Sequence, residues 1–245
     1  MNDWIRIGSP DISNIEADAV QKQILTGWIS QGPKTKEFEK EISKYLSADN
    51  TIAMSNGTVT LHSILKSLEV SKDDYVVVPS LTYISSVNVI YECNAIPIYC
   101  DVDPQTLLLD YDQLTKICDK FSPKVVMSVD LKGMPCDYDL INEICHTKNI
   151  KHIADSAESL GGEYKNEKVG TQALMHSFSL FANKTITTGE GGLIVTNNKT
   201  YNERLRLLRN QGQGENRYEH ISMGYNYRFN DVKATIGMAQ LSRLD

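Results

Sequence analysis

The chain reads Thr51-Ile52-Ala53-Met54-Ser55-Asn56-Gly57-Thr58 at residues 51–58, a short apolar run followed at once by small and polar residues. Beyond them, apolar side chains recur at helical spacing and share one face: Leu61, Ile64, Leu65 and Leu68. This step from strand to helix is repeated along the next 120 residues. The repetition predicts an α/β fold in one continuous domain.

Further β-rich runs predict strands, at residues 75–78, 96–100, 124–129, 150–154 and 176–180. Helical patterns fall between them, around residues 87–91, 111–120 and 137–148. Strands joined by helical crossovers build a mostly parallel or mixed sheet with helices on both faces, and ligands bind at the carboxyl ends of the strands. A short extended start and amphipathic helices at residues 11–26 and 34–46 predict an N-terminal helical segment, about residues 1–48.

Composition places the 245 residues among ordinary globular proteins, since 41% are hydrophobic, 23% are charged and the mean hydropathy is -0.32. No run approaches the roughly 20 apolar residues that cross a bilayer, and Met1-Asn2-Asp3-Trp4 lacks the features of a signal peptide. We therefore expect a cytoplasmic protein that does not bind membranes.

The net charge of -6 argues against a nucleic-acid partner. The nearest approach to a basic stripe consists of Arg204, Arg206, Arg209 and Arg217, which we interpret as a mostly solvated helix face. Five cysteines without a CxxC pair predict reduced thiols, several of them in the core, and no metal site is indicated.

One stretch, residues 27–35, resembles a phosphate-binding P-loop. However, Pro33 stands before its lysine and no strand precedes it, so we reject a nucleoside triphosphatase. No GxGxxG follows a strand either, and a dinucleotide-binding domain therefore lacks its fingerprint.

Three features carry candidate chemistry, and the first is the turn Ser55-Asn56-Gly57-Thr58. Small polar residues leave the first amides of a helix uncovered, where the helix dipole favours a phosphate. Taken alone, a plain helix N-cap is the more common meaning.

The second feature is Asp155, which ends an apolar strand at Ile153-Ala154-Asp155. A carboxylate there faces the ligand crevice and can hold a protonated ring nitrogen or a metal. The alternative is an aspartate that caps the next segment.

The third feature is Lys184, which follows a strand and enters a Thr/Gly-rich loop that ends at Gly192. In an apolar crevice a lysine can become available for Schiff-base chemistry, although most lysines are simply solvated. Together, a phosphate cradle, a carboxylate and an amine are the partners that pyridoxal 5'-phosphate needs.

The sequence also resembles, nearly end to end, the DegT/DnrJ/StrS family of fold-type-I pyridoxal-phosphate aminotransferases, which aminate nucleotide-linked keto sugars. The resemblance rests on residues 28–32, 79–83, 161–164 and 223–228. Within the family, residues 81–88, 183–192 and 234–241 look most like the GDP-perosamine synthase branch, which acts on GDP-4-keto-6-deoxymannose.

The resemblance implies a role for each matching position. Lys184 is expected to bind the cofactor covalently and to move the proton of the amino donor, while Asp155 holds the ring nitrogen. Further contacts are expected from residues around the ring and phosphate: Gly57, Thr58 and Ser179 at the phosphate, Tyr83 and Ala157 on the two ring faces, Glu158 near the ring hydroxyl, and Asn226 from the partner subunit of a homodimer. Without the family, Tyr83 could be a core residue and Asn226 a turn cap.

The family's dehydratase branch carries histidine where this chain has Lys184, so the resemblance implies transamination from L-glutamate. Two segments depart from the usual pattern. Relatives usually have Val-His-Leu-Tyr-Gly where this chain has Val129-Asp130-Leu131-Lys132-Gly133. They usually have Ile-Glu-Asp-Ala-Ala where it has Ile153-Ala154-Asp155-Ser156-Ala157, so the identity of the substrate stays open.

The family continues into a smaller C-terminal domain, which we expect to be absent from or truncated in this chain. Two other functions therefore stay open. One is a non-catalytic or truncated cofactor-binding relative, and the other is a fold-type-I enzyme acting on free amino acids.

Overall fold

The computed structural model describes residues 8–245. The extended start and the terminus Met1-Asn2-Asp3-Trp4 lie largely or wholly outside these residues. Within them the helices are α1 (Asn14–Leu25), α2 (Pro33–Tyr45), α3 (Gly57–Ser67), α4 (Ser85–Glu92), α5 (Tyr111–Phe121), α6 (Tyr138–His146), α7 (Lys199–Arg209) and α8 (Asp231–Leu241).

The strands are β1 (Asn50–Met54), β2 (Tyr75–Pro79), β3 (Ile96–Cys100), β4 (Val125–Val129), β5 (Lys151–Asp155), β6 (Glu163–Tyr164), β7 (Glu167–Lys168), β8 (His176–Ser179) and β9 (Gly192–Thr196). Strands β6 and β7 form a small separate hairpin. The other seven form one sheet in the order β1-β9-β8-β5-β4-β2-β3.

This sheet is mostly parallel, as predicted, and the one reversed strand is β9. It pairs antiparallel with both β1 and β8, whereas β8, β5, β4, β2 and β3 are parallel neighbours. Because β1 therefore runs in the same direction as β8, the carboxyl ends of β1, β4, β5 and β8 meet at one edge.

Alternating strand residues bury both faces of the sheet. On β2, Val76 and Val78 belong to a buried cluster with Ile64 of α3 and Ile90 of α4. Val77 points to the opposite cluster, which also holds residues of α2, α5, α6 and α8. Helices cover both faces of the sheet and bury its apolar side chains.

The basic helix face is a correction to the sequence prediction. Arg209 of α7 is only 6% exposed, and both it and Arg206 form ion pairs with the buried carboxylate of Glu39 on α2. Arg217 lies beyond α7. The arginines hold α7 against α2 and β1 because a buried carboxylate needs a cation.

The P-loop-like stretch leads into α2, and a carboxylate of the chain lies at the N-terminus of that helix. Asp231 is fully buried and accepts hydrogen bonds from the amides of Gly32, Lys34 and Thr35 at 2.8–3.1 Å, and from the Thr35 hydroxyl at 2.7 Å. These donors are the ones that a phosphate would need. The geometry agrees with the rejection of a nucleoside triphosphatase.

All five cysteines are buried and none is in a disulfide. No helix formed by residues 8–245 has the length and apolar character needed to span a membrane.

Candidate active site

A cavity of about 570 Å³ opens where the carboxyl ends of β1, β4, β5 and β8 meet. The turns that follow these strands line the cavity with polar side chains. Of the residues expected to contact a cofactor, the structure brings together Gly57, Thr58, Tyr83, Asp155, Ala157, Glu158, Ser179 and Lys184. Asn226 is not among the residues that line this cavity.

Asp155 ends β5 and is 5% exposed. Its Oδ2 accepts a hydrogen bond from the Ser86 hydroxyl at 2.7 Å, and Oδ1 accepts one from the Ala157 amide at 3.2 Å. The second bond is the local cap that was the alternative meaning of this residue, so Asp155 caps a turn and faces the cavity. Burial raises the pKa of Asp155 to about 6, against the lowering effect of its two donors. A cation placed beside this carboxylate would restore its ordinary acidity.

The turn between β1 and α3 forms the opposite wall of the cavity. The Asn56 side chain accepts from the Val59 amide at 3.0 Å, so the N-cap interpretation is also correct. The amides of Gly57 and Thr58 come before the first intrahelical hydrogen bond and are available to an anion. A Cβ atom on Gly57 would lie 3.2 Å from the Ser179 Cβ, a tight contact, so glycine leaves the most room for an anion here.

Lys184 lies on the loop after β8, and its side chain is 18% exposed. Its Nζ atom lies 3.1 Å from Oε1 of Glu158, so the solvated-lysine alternative does not describe it. An apolar crevice was the setting considered for Schiff-base chemistry of this lysine, and here its ammonium faces a carboxylate. Glu158 contacts the lysine rather than standing alone near a ring hydroxyl.

Tyr83 and Asn226 differ from the simplest alternatives for them. Tyr83 is 76% exposed at the cavity, which excludes a core role. Asn226 is exposed, and its side chain forms no hydrogen bond with residues 8–245, so it does not cap a turn there. On either side of it, Tyr225 and Tyr227 stack on each other and contact His62 edge-on.

Sequence reasoning missed several residues that shape the site. The Ser86 hydroxyl donates a hydrogen bond to Asp155, and the only signal for Ser86 in the sequence was its place in the family-like stretch 81–88. Gly192 lies under the phosphate cradle, where a Cβ atom would come within 2.5 Å of the Asn56 carbonyl oxygen. Asp130 also lines the cavity, although the sequence marked it only as a departure from the family pattern.

Comparisons with known proteins agree with this geometry. The sequence pattern of the DegT/DnrJ/EryC1/StrS aminotransferase family matches residues 10–245. A GDP-perosamine synthase of Caulobacter vibrioides is 41% identical over 243 residues, covering 98% of this chain and 65% of the relative. A GDP-perosamine synthase of Escherichia coli O157:H7 is 40% identical over 245 residues, covering 99% and 67%. The chain therefore spans about two thirds of the length of these relatives.

Solved structures give the same picture. Spr1654 of Streptococcus pneumoniae, in its PLP form, is 32% identical and superposes with a TM-score of 0.92, covering 98% of this chain and 66% of that one. Helicobacter pylori PseC, an aminotransferase in pseudoaminic acid biosynthesis, is 26% identical with a TM-score of 0.94, covering 98% and 65%. Sequence pattern, fold and cavity agree, and the chain belongs to the DegT/DnrJ/EryC1/StrS family of aminotransferases.

Proposed function

We propose that the chain is the cofactor-binding part of a pyridoxal-phosphate enzyme that transfers the amino group of L-glutamate to a nucleotide-linked 4-keto-6-deoxy sugar. The perosamine synthases that it resembles favour a GDP-linked sugar and a role in making surface polysaccharide or O-antigen precursors. One observation carries the proposal. Lys184, Asp155 and the first amides of α3 open on a single cavity.

The residues present fit pyridoxal phosphate by their chemistry. Asp155 is a buried carboxylate that receives hydrogen bonds only from neutral donors, and a protonated ring nitrogen would complete its surroundings. The cradle offers the uncovered amides of Gly57 and Thr58, and Gly57 adds no side chain to it. The Ser179 hydroxyl accepts from the Phe181 amide at 3.2 Å, so its own proton remains available to a phosphate oxygen.

When bound, pyridoxal phosphate supplies an aldehyde that accepts amines and a ring that withdraws electrons from the donor's α-carbon. Lys184 would hold that aldehyde through its amine, with loss of water, and would carry the proton of the α-carbon. Glu158 pairs with Lys184 at 3.1 Å and orients its side chain. Asp155 would keep the ring nitrogen protonated. Tyr83 and Ala157 would flank the ring, and Glu158 would lie near its hydroxyl.

We further propose a homodimer in which Asn226 reaches the phosphate of the partner subunit. Asn226 is exposed and lies outside the cavity of its own chain. Exposed apolar side chains around the cavity mouth support a subunit contact there: Leu81 at 43%, Tyr83 at 76%, Ile84 at 58% and Phe181 at 45%. Mixing inactive Lys184→Ala and Asn226→Ala proteins should restore activity in hybrid dimers, and a fully active monomer in sedimentation would contradict the shared site.

The decisive experiment is mass spectrometry of products formed from glutamate and GDP-, UDP- or dTDP-linked 4-keto-6-deoxy sugars, using the longest form of the gene product. We expect an amino sugar from the GDP-linked substrate and none with Lys184→Ala. Cofactor binding without glutamate-driven bleaching of its visible band would instead favour a non-catalytic relative. Conversion of amino acids in the absence of any keto sugar would favour a different pyridoxal enzyme.

A further inference from the structure

Asp130 follows β4 directly and is 1% exposed. Its amide donates to the Asp155 carbonyl oxygen at 3.0 Å. The two residues therefore stand side by side at the ends of neighbouring parallel strands, and both line the cavity. The proposed function assigns a ligand to Asp155 and leaves Asp130 unused.

Four neutral donors surround the Asp130 carboxyl group. The Cys136 amide donates to Oδ1 at 3.2 Å. Three hydroxyls donate to Oδ2, those of Tyr138 at 2.6 Å, Ser156 at 2.6 Å and Ser159 at 2.9 Å. Burial raises the pKa of Asp130, and these hydrogen bonds hold it down. A carboxyl group that only accepts is arranged for its ionised form.

The direction of one of these bonds follows from His176 on β8. Its Nε2 accepts from the Ala173 amide at 2.9 Å, so the neutral ring carries its proton on Nδ1. Nδ1 therefore donates a hydrogen bond to the Ser156 hydroxyl at 2.9 Å, and Ser156 in turn donates one to Asp130. Burial lowers the pKa of His176 to about 3, so its ring carries no positive charge at neutral pH.

The ion pairs formed by residues 8–245 include neither Asp130 nor Asp155. The Lys184 ammonium acts on Asp155 from beyond ion-pair distance and lowers its pKa, but it is paired with Glu158. The groups facing Asp130 are the phenol of Tyr138, the thiol of Cys136, neutral His176 and the carboxylate of Asp155. This end of the sheet thus holds two buried acids and no cation paired with either of them.

We propose that Asp130 is a positioning residue that acts through Asp155. Its negative charge makes the site at Asp155 bind preferentially a ligand whose aromatic ring nitrogen is protonated. The proposal rests on the proposed function, because it takes Asp155 as the partner of that nitrogen. Two adjacent negative charges attract a cationic ring more strongly than one, and burial of both carboxyl groups strengthens the attraction. Asp130 need not touch the ligand.

The test compares the binding of pyridoxal phosphate with that of its carbocyclic analogue, in which C–H replaces the ring nitrogen. Both probes carry the aldehyde and the phosphate, so Lys184 and the cradle affect them equally. We expect wild-type protein to prefer pyridoxal phosphate, and Asp130→Asn to reduce that preference about tenfold, the equivalent of one pKa unit. Asp112→Asn is the matched control, since it makes the same change at an exposed acid of α5 that does not line the cavity.

The outcomes separate the two proposals. If the wild type binds neither probe, or binds them equally while Asp155→Asn changes nothing, the proposed function fails. If the wild type shows the preference and folded Asp130→Asn retains it within twofold, only the role of Asp130 fails. A second measurement needs no variant. Carbon-13 NMR of the aspartate carboxyl groups in cofactor-free wild type should show Asp130 ionised at pH 7, and a protonated Asp130 there would overturn the inference.

Discussion

The Nζ atom of Lys184 lies 3.1 Å from Oε1 of Glu158, and the other oxygen of Glu158 accepts the Lys132 amide at 2.8 Å. The backbone bond orients the carboxylate toward the lysine. Burial raises the pKa of Glu158, but the Lys132 amide and the Lys184 ammonium outweigh it and keep the pKa below the usual range. Glu158 is therefore ionised at neutral pH and stabilises the Lys184 side chain as an ammonium.

Glu158→Gln should speed formation of the covalent bond between Lys184 and pyridoxal phosphate at pH 7, by up to about tenfold, because the carboxylate that stabilises the unreactive ammonium is lost. Stopped-flow absorbance at pH 7 measures this rate. Glu163→Gln is the control, since Glu163 is an exposed glutamate in the β6–β7 hairpin. An unchanged or lower rate in Glu158→Gln would contradict this effect of the ion pair.

Asp155 predicts a pH dependence of stability in the cofactor-free protein. Its folded pKa of about 6 exceeds the ordinary value, so the native state holds the proton more tightly than the unfolded state does. Stability should therefore fall as pH rises from about 4 to about 6 and stay reduced above that. Asp155→Asn cannot ionise and should be more stable than the wild type at pH 8, by a free energy on the order of 2 kcal/mol.

Urea unfolding at pH 5 and pH 8 provides the measurement. Asp112→Asn, at an exposed acid of α5, should keep the wild-type pH dependence. Parallel stability curves for Asp155→Asn and the wild type would contradict the prediction.

Asp231→Ala should reduce the free energy of unfolding by about 3 kcal/mol, because the first amides of α2 and the Thr35 hydroxyl lose a buried acceptor. Thermal or urea unfolding followed by circular dichroism measures the loss. Asp112→Ala also removes an acid from the first turn of a helix, but an exposed one, and should cost less than about 1 kcal/mol. Equal losses in the two variants would mean that Asp231 acts only through the helix dipole.

Gly192→Ala should disturb the phosphate cradle from below. The added Cβ atom would lie 2.5 Å from the Asn56 oxygen and 2.8 Å from the Gly57 nitrogen, so the turn must move. We expect a stability loss of about 3 kcal/mol and weaker binding of inorganic phosphate by the cofactor-free protein. At Gly214 the nearest atom would be 3.4 Å away, so Gly214→Ala should change neither property.

The sequence predicted the elements between residues 50 and 155 well, because each strand there is a short apolar run followed by helical periodicity. The reversed strand β9 was missed. Its run Leu193-Ile194-Val195 follows a Gly-rich loop. Its partner β1 is far away in sequence, and its partner β8 is separated from it by the loop of residues 180–191. Local patterns do not encode which distant strand a segment will pair with.

The candidate site could be predicted at positions where the residue type itself indicates the chemistry and the position follows the end of a strand. Lys184, Asp155 and the turn at Gly57 meet that condition. The surroundings of Asp130 could not be predicted in this way, because its hydroxyl donors come from α6 and from the segment after β5. The burial of Arg209 was missed for a similar reason, since its partner Glu39 lies 170 residues away along the chain.

The position of β9 also sets the order in which the site is completed during translation. The Asn50 side chain at the start of β1 donates a hydrogen bond to the Thr196 carbonyl oxygen at the end of β9, 146 residues later. In the seven-stranded sheet, β9 is the strand next to β1. A nascent chain that ends before residue 192 already contains the turn at Asn56 and Gly57, yet it lacks the backbone on which that turn rests. The first part of the cofactor site to leave the ribosome is thus among the last to become rigid.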